Sequence, residues 1–260
     1  MNRILFEKHE IADGCVAFSD DRAEHVLNVL HGTVGQTLKT GELDGRIGTS
    51  VITEIRDLHR REEGSAQRGS GLLSGTVVVA CTHLDAAPAP WFDLILAPPR
   101  PRAMKRLLPQ LAALGVGRIV LVGAAKVEKS FWGAQLLREA VYRPLLVEGL
   151  MQSGTTAVPE IVCERNIRRY LERQVAQEFP DRERIVAHPG PRPGFATAAK
   201  EDARPGRMVL AVGPEGGWTD QEVGLFEAQG FVRYSLGGRI LRTDTATIAL
   251  IAQLMLRHGG

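Results

Sequence analysis

Leu210-Ala211-Val212-Gly213-Pro214-Glu215-Gly216-Gly217-Trp218 runs from an apolar strand pattern directly into a turn that holds three glycines. A backbone of that kind either turns abruptly or comes close to something. Thr219 and Glu222 follow at capping-box spacing, so a helix starts just past the turn. For three glycines alone, an ordinary tight turn between strand and helix is the simpler reading. The same strand, turn and helix also make up the edge at which parallel α/β sheets collect their ligands.

Outward from this stretch, one rhythm continues through most of the chain after Trp91. Short apolar strands are expected at 92–96, 119–122, 158–162, 185–187, 208–212 and 232–236, with helices at about 103–114, 131–151, 167–178, 220–229 and 245–258. Their alternation predicts an α/β domain built on a parallel sheet. Pro109 and Pro144 fall inside two of the helices and predict a kink or a helix start displaced towards the proline.

Up to about Thr82 the pattern is strand-like and rich in turns, with candidate strands at 15–18, 37–39, 48–55 and 76–80. Asp44-Gly45 marks a hairpin turn. Ser19 or Asp20 can cap one helix, in which Ala23, Val26, Leu27 and Leu30 share a face. Residues 59–74, rich in Arg, Glu, Gly and Ser, are expected to be a long mobile hairpin loop. Asp85-Ala86-Ala87-Pro88-Ala89-Pro90 is the better boundary, dividing a small β-rich domain, 1–85, from an α/β domain, 86–260.

The chain has 260 residues, 44% hydrophobic and 24% charged, as expected of a globular protein that folds unaided. Aromatics at 5% argue against base stacking on a broad aromatic sheet, and a net charge of +2 decides nothing about partners. Cys15, Cys81 and Cys163 are far apart without zinc or redox spacing. They are expected to be small buried core residues in a reducing compartment, and no metal site is expected. Neither a secretory signal nor a membrane span is visible, so a cytoplasmic location is expected, with no membrane partner.

A second loop changes the weight of the first. Leu236-Gly237-Gly238-Arg239-Ile240-Leu241-Arg242-Thr243-Asp244-Thr245-Ala246 again places glycines between a strand and a helix, which Thr243 or Asp244 can cap. Two such loops in succession make a pocket for a flat ligand held by backbone amides and carbonyls. No Gly-x-Gly-x-x-Gly turn is present, which argues against a doubly wound alternative.

The two loops resemble those of the SPOUT class of RNA methyltransferases, and within it the RsmE family, which methylates a uracil imino nitrogen of bacterial 16S ribosomal RNA. That family carries Gly-Pro-Glu-Gly-Gly and then Leu-Gly-x-Arg-Ile-Leu-Arg-Thr-Glu-Thr, and this chain differs in the second only by Asp244 for the acid. Ala187-His188-Pro189 is similar to the family's first cofactor loop. Leu114-Gly115-Val116, Gln152-Ser153-Gly154 and Val158-Pro159-Glu160-Ile161 match further stretches. His25-Val26-Leu27-Asn28-Val29-Leu30, Gly35 and Asp44-Gly45 resemble the family's small RNA-binding domain of PUA type, so the likeness covers nearly the whole chain. Met151, Thr155, Gln110, Ala113 and His31 depart from the family pattern and bear on the RNA side.

The resemblance implies a homodimer with a trefoil knot at about 186–260 and S-adenosylmethionine bound within it. The implied cofactor site is Ala187, His188, Pro189, Gly213, Pro214, Glu215, Gly216, Gly217, Leu236, Gly237, Arg239, Ile240, Leu241, Arg242 and Thr243. The implied substrate is 16S ribosomal RNA of the small subunit. The alternatives are another RNA, or a non-catalytic RNA-binding or ribosome-assembly factor that keeps the cofactor fold.

Individual side chains admit two readings. Arg100, Arg102, Lys105 and Arg106 either neutralise RNA phosphates or form a solvated helix start, although positive charge there opposes the helix dipole. Lys126 and Lys129 either join that face or make surface ion pairs. Arg242 either contacts the substrate and its developing anion or bridges the dimer. Glu215 is the candidate base, but a carboxylate beside a helix start is favoured there for structure alone. Asp244 reads as a cap before it reads as a base. His188 either packs on the cofactor or is a strand-end histidine with a satisfied hydrogen bond.

Overall fold

The structure is a computed structural model and describes residues 2–61, 72–180, 182–189 and 207–258. The chain divides into two compact units, Met1–Pro88 with Met151–Ala157, and Ala89–Leu150 with Val158–Gly260.

In the first unit the strands are β1 (Ile4–Phe6), β2 (Cys15–Phe18), β3 (Thr37–Glu42), β4 (Ile47–Arg61) and β5 (Leu72–Asp85), in the order β1-β3-β4-β5-β2. All neighbours are antiparallel except β1 and β3. Strand alternation sets the core: Val16 and Phe18 of β2 point inward while Cys15 and Ala17 point out. Helix α1 (Asp21–Asn28) is capped by Asp20, whose side chain accepts from the Arg22 amide at 3.0 Å, and it buries Ala23, Val26 and Leu27. Asp44 adopts φ +56° in the β3–β4 turn, where the Gly45 amide donates to the Glu42 carbonyl at 3.0 Å.

Three features of this unit differ from the sequence reading. β1 is an additional strand. β4 and β5 run on through 59–61 and 72–74, so the expected loop is shorter at both ends, and its middle, 62–71, lies outside the described residues. Residues 151–157 belong to this unit: the Asn2 and Arg3 amides both donate to the Met151 carbonyl, and the buried Thr156 donates its hydroxyl to the Gly45 carbonyl at 2.8 Å.

The second unit is a sheet in the order β11-β9-β10-β6-β7-β8, parallel throughout. Its strands are β6 (Phe92–Leu96), β7 (Val116–Val122), β8 (Glu160–Glu164), β9 (Arg184–Ala187), β10 (Met208–Val212) and β11 (Val232–Tyr234). β6 and β10 lie at its centre and are buried along their whole length, which is why they read as near-continuous apolar runs, broken only by Asp93 in β6, and not as alternating ones. The helices are α2 (Pro101–Ala113), α3 (Glu139–Ser153), α4 (Ile167–Arg173), α5 (Val175–Glu178), α6 (Asp220–Ala228) and α7 (Thr243–His258).

Proline accounts for two boundaries. Pro101 starts α2, where its missing amide costs nothing, while Pro109 sits inside a helix that continues past it. α3 begins at Glu139, close to Pro144, and the expected start at 131 is instead occupied by single 3-10 turns at Lys129–Gly133 and Gln135–Leu137. One helix expected at 167–178 is broken at Gln174 into α4 and α5.

The cysteine expectation is corrected. Cys15 and Cys163 are exposed and Cys81 is half-buried, because Cys15 and Cys163 fall on outward positions of the edge strands β2 and β8. Among the described residues, no helix is long and apolar enough to cross a membrane, and no group of His, Cys, Asp and Glu could hold a metal ion.

Candidate active site

Because every strand of the second unit is parallel, the loops after β9, β10 and β11 leave from one sheet edge, and they enclose a cavity of about 250 Å³. Ala187, His188 and Pro189 wall it from β9, Gly213 to Gly217 from β10, and Leu236, Gly237, Arg239, Ile240 and Leu241 from β11, with Thr243 at the start of α7. The glycine-bearing loops singled out by sequence therefore meet. Val212, Tyr234, Ser235, Ala246 and Leu250 also line the cavity and were not expected, since strand-end and helix residues read as core.

Main-chain bonds hold the loops in place. The His188 amide donates to the Tyr234 carbonyl at 2.9 Å, and the Gly217 amide closes its turn on the Pro214 carbonyl at 2.8 Å. Gly217 has φ +70° and Gly237 has φ +111°, both in the region that side chains resist. The buried Thr243 hydroxyl donates to the Gly213 carbonyl at 3.2 Å, and the buried Thr247 hydroxyl donates to the Thr243 carbonyl at 2.7 Å. Thr243, the first residue of α7, thus ties the second loop to the first. Asp244 accepts from the Thr245 amide at 2.9 Å and pairs with Arg106 at 3.3 Å.

A fourth loop supports the glycine turn from the side. Glu222 of α6 is buried and forms the expected capping box with Thr219, and its carboxylate also accepts the Ala125 amide at 2.8 Å. Lys126 donates to the Gly216 carbonyl at 2.7 Å, so it braces the glycine loop, a role neither of the two sequence readings, RNA contact or surface ion pair, contains. Replacing Glu222 by alanine should strand the Ala125 and Thr219 amides and destabilise the fold by about 1–3 kcal/mol. Thermal melting measures this, and an unchanged midpoint would mean that the buried carboxylate contributes nothing net.

The charged candidates stand outside the pocket or at its rim. Glu215 is exposed and accepts the Arg100 amide, the start of α2, at 3.4 Å. Such a position favours its negative charge electrostatically, apart from any chemistry. Arg239 and Ile240 line the cavity yet are exposed. Arg242 is exposed and does not line the cavity. Arg100, Arg102, Lys105, Arg106 and Lys129 are exposed, and only Arg106 has an ion pair among the described residues.

The pocket suits a nucleoside-sized ligand on its own chemistry. Its walls are largely backbone and apolar side chains, glycines admit close approach, and the His188 Nδ1 is buried without a hydrogen-bond partner. A parallel α/β sheet with glycine-bearing loops around a cavity at its carboxyl edge defines an α/β enzyme that takes a nucleotide-like ligand there. Residues 87–255 match the RNA methyltransferase domain family, and the chain belongs to that family.

Among its relatives, Ribosomal RNA small subunit methyltransferase E of Treponema pallidum (strain Nichols) is 29% identical over 259 residues, covering 98% of this chain and 91% of that protein. The crystal structure of Ribosomal RNA small subunit methyltransferase E from Neisseria gonorrhoeae, bound to S-adenosyl methionine, matches with a TM-score of 0.68 at 23% identity, covering 98% of this chain and 97% of that one. A probable rRNA-methyltransferase from Porphyromonas gingivalis matches with a TM-score of 0.69 at 22% identity, covering 98% of each chain. These likenesses show the shared α/β fold.

Proposed function

We propose that the protein is an RsmE-type SPOUT enzyme, a homodimer that transfers the methyl group of S-adenosylmethionine to a uracil imino nitrogen in 16S ribosomal RNA. The observation that carries this reading is the meeting of three loops, from β9, β10 and β11, around one cavity. The Treponema relative bears the name of a small-subunit ribosomal RNA methyltransferase, and the Neisseria structure holds the cofactor. Ile240, 91% exposed beside the cavity, is an apolar side chain that a second copy would cover.

When bound, S-adenosylmethionine supplies a methyl group already activated by its sulfonium, so the protein's task is chiefly positioning. Gly213 to Gly217 and Leu236 to Leu241 offer backbone donors and acceptors, and Thr243 keeps the two loops in register. Arg242, charged, exposed and outside the cavity, is the candidate contact for the substrate and for the negative charge that develops on the pyrimidine oxygens. Glu215 stands at the rim as the candidate proton acceptor, with Arg100 beside it.

Incubation with labelled S-adenosylmethionine and undermethylated small subunits, followed by mass mapping of nucleosides, tests the reading. The expected product is a uridine methylated at its imino nitrogen. Methylation of another RNA would replace the substrate assignment, and cofactor uptake without transfer would favour an assembly factor.

Arg102 and Lys105 have no ion-pair partner among the described residues and point from an exposed helix start, where they suit phosphates better than a structural role. Reversing both charges should weaken RNA binding and flatten its dependence on salt. An unchanged slope would place this cluster away from the RNA.

A further inference from the structure

The loops after β7 and β8 leave the same sheet edge as the cavity and carry aromatic and basic side chains. The 3-10 turn Lys129–Gly133 presents Phe131 and Trp132, both half-buried. One residue past β8, the Arg165 guanidinium lies over the Trp132 ring, with Cζ 5.9 Å from the ring centroid. The two loops are held together through their backbones: the Gly123 amide donates to the Glu164 carbonyl at 2.9 Å, and a Cβ at Gly123 would meet the Arg165 carbonyl oxygen at 2.0 Å. Lys126, on the same loop as Trp132, donates to the Gly216 carbonyl in the cavity wall. At ordinary strand spacing, β7 and β8 stand roughly 10 and 14 Å along the sheet from β10.

Arg165, Lys129 and Arg169 are exposed and have no carboxylate partner among the described residues. A surface cation–π pair needs no further cations near it, yet Lys129 stands three residues before Trp132 and Arg169 four residues after Arg165. An exposed guanidinium over a half-buried indole, with Lys129 and Arg169 within four residues of the pair in the chain, has the features with which proteins hold an unpaired RNA base and its phosphates. Such a platform is compatible with the sparse aromatics of the chain, since it needs one ring and not a sheet of them.

We propose that Trp132 and Arg165 form a stacking platform for an unpaired base of the RNA that flanks the methylated uridine, with Lys129 and Arg169 at the adjacent phosphates. The proposal rests on the RNA methyltransferase reading above and adds to it the surface that receives the substrate strand. Neither side chain touches the cavity, so cofactor uptake should be independent of them.

The test is steady-state methyl transfer to undermethylated small subunits, with cofactor affinity measured by calorimetry. Trp132→Leu should raise KM for the subunits by at least about fivefold, the lower end of what stacking of one base contributes, and leave cofactor affinity unchanged. Trp132→Phe should recover most of the loss, because a ring remains, whereas a packing defect would not discriminate in this way. Arg165→Gln, at an exposed side chain, should move KM in the same direction and carries the test if Trp132→Leu does not fold. If the unaltered chain transfers no methyl group, the functional reading fails and the platform with it. If it does transfer, and both Trp132→Leu and Arg165→Gln match its KM with cofactor uptake intact, the platform alone is overturned.

Discussion

Arg242→Ala is expected to lower methyl transfer by at least about 100-fold, the scale seen when one preorganised donor to a developing anion is removed, while cofactor affinity stays within a few-fold. The expectation follows from placement. Arg239, Ile240, Leu241 and Thr243 line the cavity, but Arg242 between them does not, and its side chain is exposed. A residue of that kind faces whatever approaches the loop from outside. Arg242→Lys should recover only part of the rate, since a point charge does not reproduce the guanidinium fork. Calorimetry and single-turnover transfer on the same preparations separate the two effects. Loss of cofactor binding in Arg242→Ala would assign the residue to the pocket, and full transfer would leave it as a surface or dimer contact.

The second large effect is expected on stability, at the opposite edge of the same sheet. Asp93, near the start of β6, is 1% exposed and ion-pairs with both Arg182 and Arg207. Burial presses the ionisation of both guanidiniums below its usual range, and neighbouring positive charge adds to it, from Arg207 on Arg182 and from Arg118 on Arg207. The carboxylate offsets that crowding. Asp93→Ala should therefore destabilise the protein, by less than the ~3–5 kcal/mol of a fully buried pair, because Arg182 and Arg207 keep 22% and 35% of their side chains exposed. At this chain length that is a fall in Tm of several degrees, about 2–4 °C for each kcal/mol. Adding Arg182→Met and Arg207→Met to Asp93→Ala should restore part of the loss, because an apolar replacement of the whole cluster removes the stranded charge. A Tm unchanged in Asp93→Ala would show that the arginines reach water once the aspartate is gone.

Much of the site was legible because its signals are local. Glycines at 213, 216, 217 and 237 mark a backbone that turns or is approached closely, and the Thr219–Glu222 spacing marks the helix start behind it. The period of apolar residues separated the β-rich first unit from the alternating second one, and Asp20 and Asp44-Gly45 marked a cap and a turn that the structure contains. Local chain geometry is written in residue type because each of these effects acts within a few positions.

Other features needed the fold. Lys126 is, by sequence, one more cation, yet it braces Gly216, and Thr243 reads as a cap, yet it reaches the Gly213 carbonyl thirty positions away. Asp93 lies inside an apolar strand with nothing nearby to say that two arginines from distant positions converge on it. Cys15 and Cys163 read as core by residue type and turned out to face outward on edge strands. Nor does periodicity place the segment 151–157 with the first unit.

By itself, then, the sequence determined most of the strands and helices though not all their bounds, and the two glycine turns that line the pocket. Only the tertiary structure decided that β9 lies between β11 and β10, so that the three loops meet around one cavity, and that Glu222 of α6 and Lys126 of the β7 loop brace the glycine turn beside it. The reason is physical: turn and helix preferences are set by neighbouring atoms along the chain, whereas strand order is set by which buried faces pack together, and that depends on the whole sheet at once.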